Sequence, residues 1–380
     1  MKILLWASTA FGHGGPPSSE QLLWGDSDQV MVTSTHGFFF EDGDWDWVCE
    51  EIFGTSLPTD VIATPTRILV ASTNGLASST GGCDWGWADE FAGQLIWDLA
   101  LDEQTESGVW LVSETGLWHS DDYGAQFTGF DLPAPNASLR SVVPMAGGTL
   151  TLFGFIDGQA TAWQGSADNW TALPLPVTGG HLIGLDVDDF GNVYGRFPRA
   201  GGSDELLRIS ADGSVTSILE TDERIGALVA VGSDVMVSVN REGTWLSSDQ
   251  GESWTWGDAE TFACLVDHDD FIWGCPNDGS EHMWLRTGDP LGVSPKTWES
   301  GPMFSDVSEP RCGDELPQCE LIWPTVALEL GVDLTEVVTR PEAATEAEAQ
   351  AEKTGGCGAQ AAVFMAPWWV LWAGYRRYDA

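Results

Sequence analysis

From residue 16 to about residue 300 the chain is written in short apolar runs, each soon broken by Gly, Asp or Asn. QVMVTST, RILVASTN, GVWLVSET, DVMVSVN and DDFIWGC are β-branched or aromatic runs of strand length. LIGLDVDDFGNVYG (Leu182 to Gly195) and WDLALDEQTESGVWLV read as strand, polar turn, strand. No stretch of this body carries a helical period, and LIWPTVALEL beyond it reads as one more strand.

A small hinge recurs among these runs: THGFFF at Gly37, TNGLAS at Gly75, ETGLWHS at Gly116 and REGTWLSS at Gly243. Weaker equivalents stand at Gly158, Gly202 and Gly279, giving steps of 38, 41, 42, 44, 41 and 36 residues. Repeats of roughly forty residues are the length of one four-stranded propeller blade. The expectation is an all-β, seven-bladed β-propeller over 16–300, with the N-terminal LLWGDSDQVMV segment helping to close the ring.

SSDQGESW ends one hinge unit with a turn that fastens itself. Asp249 can bond the backbone ahead, Ser247 closes the other side, Gly251 supplies a positive φ, and Trp254 starts the return strand. SDDYGAQF repeats the spacing with Ser120, Asp122, Gly124 and Phe127, and SSTGGCDW is a worn copy with Ser78, Thr80, Gly82 and Trp85. The pattern S-x-D-x-G-x-x-W resembles the Asp-box, or BNR repeat, of sialidases, sortilin-like receptors and photosystem assembly factors. The resemblance implies a structural turn between outer strands, away from a binding face.

The two ends concern destination. MKILLWASTAFG has a basic start and an apolar run, and reads as a secretion signal over 1–12. Residues 301–339 read as a closing extension, and 340–356 as an unstructured Ala/Glu-rich acidic linker. The 357–380 segment begins at Cys357, continues as one hydrophobic helix and ends in Arg376 and Arg377. It resembles the myxobacterial C-terminal sorting tag, MYXO-CTERM, which implies that Cys357 is the residue recognised by an envelope protease. A permanent membrane anchor is the alternative.

Six cysteines other than Cys357 suit an exported chain, and six permit fifteen pairings. Cys264 and Cys275 stand at the ends of a hairpin, Cys312 and Cys319 flank a small loop, and Cys49 is left for Cys83. WDWVCEEIFG followed by a Cys-bearing second box also resembles secreted myxobacterial propellers of unknown activity.

Charge then restricts the partners. With 58 acidic against 15 basic residues the net charge is -43, which repels phosphate backbones and argues against nucleic acid. DHDD (Asp267, His268, Asp269, Asp270), DVDD (Asp186, Asp188, Asp189) and EDGDWDW (Glu41, Asp42, Asp44, Asp46) are hairpin turns with incomplete calcium spacing. EDGDWDW reads as the degenerate box of the first blade, and His13 alone makes a poor copper site. A sialidase needs converging arginines and a tyrosine nucleophile, whereas Tyr123 lies in a box turn and Tyr194 in a strand.

The expectation is therefore a monomeric cell-surface binding propeller with no cofactor, metal or catalytic residue. Its ligand would be an extracellular glycan or protein. The rival is a glycan-cleaving hydrolase, which a carboxylate pair about 5 to 10 Å apart across the channel would favour.

Overall fold

The computed structural model describes residues 17–333 apart from 25–28, 55, 57, 103, 167–168, 178, 278–279, 290, 292–295 and 313–314. The signal segment, His13, the hinge at Gly279, the acidic linker and the Cys357 tag lie outside the described residues.

Seven sheets form the expected propeller. Blade 1 is β1 (Ser19–Trp24), β2 (Val30–Ser34), β3 (Gly37–Asp42) and β4 (Asp44–Val48). Blade 2 is β5 (Pro58–Ala63), β6 (Ile68–Ser72), β7 (Gly75–Ser79) and β8 (Gly86–Trp87). Blade 3 is β9 (Ile96–Leu101), β10 (Val109–Ser113), β11 (Leu117–Ser120) and β12 (Thr128–Phe130). Blade 4 is β13 (Ser138–Met145), β14 (Thr149–Ile156), β15 (Gln159–Ser166) and β16 (Asn169–Leu173). Blade 5 is β17 (Ile183–Val187), β18 (Val193–Pro198), β19 (Asp204–Ile209) and β20 (Val215–Thr221). Blade 6 is β21 (Ile225–Val231), β22 (Asp234–Val239), β23 (Gly243–Ser247) and β24 (Thr255–Trp256). Blade 7 is β25 (Phe262–His268), β26 (Phe271–Pro276), β27 (Leu285–Thr287) and β28 (Glu299–Ser300).

Strand order within every blade follows the sequence, and the first strand of each blade packs on the first strand of the next. These first strands therefore surround the axis. Apolar clusters fill the wedges between blades; one joins Leu69 and Leu76 of blade 2 to Leu99 and Leu111 of blade 3. Trp163 is buried in this way, while Trp87 and Trp256 stand exposed on outer strands.

Each described hinge glycine falls in the turn between second and third strands. Gly37, Gly75 and Gly243 have φ of 109°, 145° and 99°, a region that side chains disfavour. Antiparallel pairing puts these turns on the same face as the connections between blades. The box turns, joining third and fourth strands, lie on the opposite face.

The N-terminal segment helps to close the ring from within blade 1. β1 is the inner strand of its own blade, and its Ser19 hydroxyl donates to the Met283 carbonyl of blade 7 at 2.6 Å. The C-terminal segment supplies the additional clasp, because β29 (Val307–Pro310) pairs in parallel with the outer edge of β4. LIWPTVALEL is not a strand but lies in α1 (Pro317–Leu330), which has proline at its first turn and ends at Gly331 in the left-handed conformation. α1 lies against blade 1, with Trp323 beside Trp47 at 5.3 Å between ring centroids and Glu329 3.2 Å from His36.

The disulfides complete the clasp. Cys264 and Cys275 are bonded across β25 and β26, where they sit directly opposite. The other expected pairings are corrected: Cys49 bonds Cys319 and Cys83 bonds Cys312. The reason is topological. β29 carries Cys312 back to blade 1 and the Cys83 loop, and α1 turns Cys319 towards Cys49.

Candidate functional site

The channel is shaped by one irregularity used seven times. Each inner strand slips register against its neighbour, leaving one residue unpaired: Glu20, Thr59, Trp97, Arg140, Leu185, Gly226 and Ala263 in blades 1 to 7. A β-bulge of this kind bends the strand and re-aims the extra side chain. Three of these residues, Glu20, Thr59 and Ala263, line a cavity of about 370 Å3. Gln21, Glu50, Asp60 and Arg224 line it too, so four blades converge on one mouth, on the hinge face.

The residue after the bulge makes the bonds. Gln21 donates to Asp60 Oδ1 at 2.7 Å, and Asp60 Oδ2 accepts the Leu99 N–H at 2.7 Å. Asp98 accepts the Val142 N–H at 2.7 Å, Ser141 the Gly184 N–H at 2.8 Å, and Asp186 the Ala230 N–H at 2.8 Å. Each bond crosses from one blade to the next. Together they stitch blades 1 to 6 around the axis, and a deeper cavity of about 280 Å3 lies among Asp60, Asp98, Ser141 and Asp186.

Burial raises the carboxyl pKa values here. Asp98 lies well above its ordinary value, first through burial and then through the charge of Asp60, to which it is hydrogen-bonded. Asp60 is raised by burial against the opposing donors Leu99 N–H, Gln21 and Val61 N–H. Asp186 is pushed up to about 7, again by burial first. The hydrogen bond between the two carboxyls, which raises Asp98 and lowers Asp60, keeps them in contact instead of apart.

A second group sits at the same mouth. Arg140 spreads over the Trp97 ring at 3.6 Å and the Phe155 ring at 4.8 Å. Arg196 is only 8% exposed and donates to the Ile225 carbonyl at 2.6 Å. His181 and Arg224 each lie just ahead of an inner strand, those of blades 5 and 6. Burial, then Arg140 and Arg196, lower the His181 pKa.

The residues singled out in the sequence fall elsewhere. In two box turns the serine accepts the glycine N–H at 2.8 Å and donates to the aspartate: Ser120 with Gly124 and Asp122, Ser247 with Gly251 and Asp249. The worn copy is fastened differently. Ser79, not Ser78, accepts the Gly82 N–H at 2.7 Å, and Asp84 receives the Ser79 and Thr80 hydroxyls at 2.7 and 2.5 Å. Trp85 turns back to donate to the Gly82 carbonyl at 2.6 Å, and Phe127 packs at the seam between blades 2 and 3. A Cβ placed on Gly82, Gly124 or Gly251 would meet Phe40, Leu69 or Ile218, each in the preceding blade. These turns are therefore seams between blades.

The acidic turns are occupied in the same sense. Asp188 accepts the Phe190 and Asn192 N–H groups, the Asn192 side chain and the Tyr194 hydroxyl, all at 2.8 to 3.0 Å. Tyr194 is buried with a raised pKa, which ill suits a nucleophile. His268 stacks on Trp24 at 4.2 Å, and the backbones of Asp42 and Asp44 are register partners across Gly43 in the tight turn of blade 1. Among the described residues no group of three or more His, Cys, Asp or Glu is placed to hold a metal ion.

No family model matches the sequence, and no curated protein matches it. Solved structures do. The chain is similar to the extracellular domain of a putative one-component system from B. thetaiotaomicron, at 13% identity and TM-score 0.53, over 76% of this chain and 47% of that one. It is similar to the GH74 xyloglucanase from Xanthomonas campestris at 14% identity and TM-score 0.55, over 75% and 54%. It is also similar to YCF48 bound to a D1 peptide at 13% identity and TM-score 0.52, over 72% and 92%. The likeness is one of fold. The chain spans about half the length of the first two.

Sequence reasoning read the inner hairpins of blades 3 and 5 as strands but did not single out the polar residues that the inner strands carry. A signal was present: Gln21, Asp60, Asp98, Ser141 and Asp186 each precede a hinge glycine by 15 to 18 residues. His181, Arg196 and Arg224 carry no such spacing.

Proposed function

We propose that the protein is an exported binding propeller whose ligand is a glycan held at the hinge-face mouth of the channel. The observation that carries this reading is the ring of seven bulges, three of which line one polar cavity of about 370 Å3. Hydroxyl-rich ligands suit the acceptors gathered there, Glu20, Gln21, Thr59 and Glu50. Three disulfides favour an oxidising compartment. Among the described residues no helix is long and apolar enough to cross a membrane. Attachment through the 357–380 tag, with Cys357 as the processed residue, belongs to the same proposal, as does reading the box turns as Asp-boxes. Likeness to an extracellular domain supports export, and likeness to a xyloglucanase supports a glycan ligand.

The hydrolase reading has less support. Asp60 and Asp98 are directly hydrogen-bonded, and each also accepts a backbone N–H from the next blade. Paired glycosidase carboxyls instead stand about 5 Å or more apart, with the sugar between them.

The test is a glycan array with the full-length protein, followed by Ala263→Trp, which fills the mouth without removing a side-chain hydrogen bond. Loss of binding in that variant supports the mouth. Undiminished binding moves the ligand elsewhere, and release of reducing sugar that disappears in Asp98→Asn would establish the hydrolase.

A further inference from the structure

We propose that blades 4 to 6 carry an oxyanion site at this mouth, formed by Arg140, His181 and Arg224 above Arg196, which selects saccharides bearing a carboxylate or sulfate group. The inference rests on the glycan reading and names the class of glycan.

The first argument is how the arginines are distributed. Nine arginines lie between residues 17 and 333 of a chain with net charge -43. Six are ion-paired with carboxylates: Arg199 with Glu205, Arg208 with Glu252, Arg241 with Glu223, Arg286 with Glu299, Arg311 with Asp46 and, at 3.8 Å, Arg196 with Asp204. Arg196 meets Arg140 and Arg224 at one end of the channel, on successive blades. Among the described residues, neither Arg140 nor Arg224 has a carboxylate within ion-pair distance.

The second argument is an incomplete set of partners. Asp204 is the acidic group facing the cluster, and its field reaches Arg196, Arg224 and His181 together. Its Oδ2 already accepts the Ile225 N–H at 2.8 Å and stands 3.8 Å from Arg196 Nε. That buried Nε makes no hydrogen bond. Asp204 is thus divided among two arginines and a histidine, and with no carboxylate at ion-pair distance from Arg140 or Arg224 among the described residues, positive charge is left for a ligand to answer. Their proximity shows in mutual repulsion, since Arg140 and Arg196 act on His181 and Arg224 acts on Arg196.

The third argument concerns what else the ligand must be. Arg140 is held flat by two rings, so its planar fork is preorganised for a two-oxygen partner. Arg224 also lines the mouth cavity, whose other walls carry Glu20, Glu50 and Asp60. A densely anionic ligand would be repelled there. A saccharide offers hydroxyls to those carboxylates and one oxyanion to the arginines, and so satisfies both sides.

The test uses the full-length protein and calorimetry with tri-galacturonate, its methyl ester and a sulfated neutral trisaccharide. Arg224 is exposed and makes no side-chain hydrogen bond among the described residues, so Arg224→Ala should fold normally. The acid should bind about tenfold or more tightly than its ester, and Arg224→Ala should abolish that preference while Arg224→Lys partly restores it. Tighter binding by the sulfated sugar would identify sulfate as the source of the same chemistry. Equal binding of acid, ester and sulfated sugar, or equal losses for all in Arg224→Ala, overturns the oxyanion site and leaves the glycan reading standing. Failure of all three to bind, with neutral glycans bound on the array, also overturns the site; failure of every glycan overturns both.

Discussion

Asp98 of blade 3 is hydrogen-bonded to Asp60 of blade 2, at the centre of the belt that joins the inner strands. Burial and the neighbouring Asp60 carboxyl hold Asp98 well above the ordinary carboxylate range. Folding therefore raises the Asp98 pKa, and the folded state binds more protons than the unfolded state between the two values. Stability must fall as pH rises through that window, beginning near the unfolded value of 3.8. Asp186, pushed up to about 7, adds a loss in the same direction between roughly pH 4 and 7.

Urea unfolding between pH 5 and 8.5 should show this loss, about 1.4 kcal/mol per pH unit for each proton released. General repulsion among 58 acidic residues acts in the same direction, so the decisive comparison is with Asp98→Asn. The amide can still donate to Asp60 and accept from Val142 without titrating. Its profile should be flatter than the parent's; parallel profiles would remove the shared proton from the account.

The long disulfides should matter more than the short one. Cys49–Cys319 and Cys83–Cys312 span 270 and 229 residues, against 11 for Cys264–Cys275. Loop-closure entropy assigns about 5 to 6 kcal/mol to each long bridge and about 3 kcal/mol to the short one. Paired Cys→Ala variants should follow that order in thermal midpoint. Peptide mapping without reduction should recover Cys49 joined to Cys319; a Cys49–Cys83 peptide would contradict the clasp.

What could be read in the sequence was what depends on local chemistry. Gly37, Gly75 and Gly243 reveal the blades because a tight turn with positive φ leaves few alternatives to glycine. The Cys264–Cys275 bridge was legible because both residues belong to one hairpin. Cys49 and Cys83 were assigned to each other because nothing local says that the chain returns past residue 307 to lie beside β4. α1 was misread although its boundary residues, Pro317 and Gly331, are standard helix punctuation. The mouth was hidden for a deeper reason. A bulge depends on how two strands pair, and Arg140, His181 and Arg224 are neighbours only after the ring has closed.

The worn box of blade 2 gives the sharpest test of a one-residue difference. Sequence spacing selects Ser78, but Ser78 faces away, while the buried Ser79 hydroxyl accepts the Gly82 N–H at 2.7 Å and donates to Asp84. Replacing Ser79 with alanine leaves a buried N–H without its acceptor, which costs about 1 to 3 kcal/mol. Ser247→Ala in blade 6 removes the same bond to Gly251 and should cost a similar amount. Ser78→Ala should be nearly silent, within about 0.5 kcal/mol. Equilibrium urea unfolding of the three variants separates these cases. A cost at Ser78 equal to that at Ser79 would mean that blade 2 fastens its turn in the register the sequence suggested.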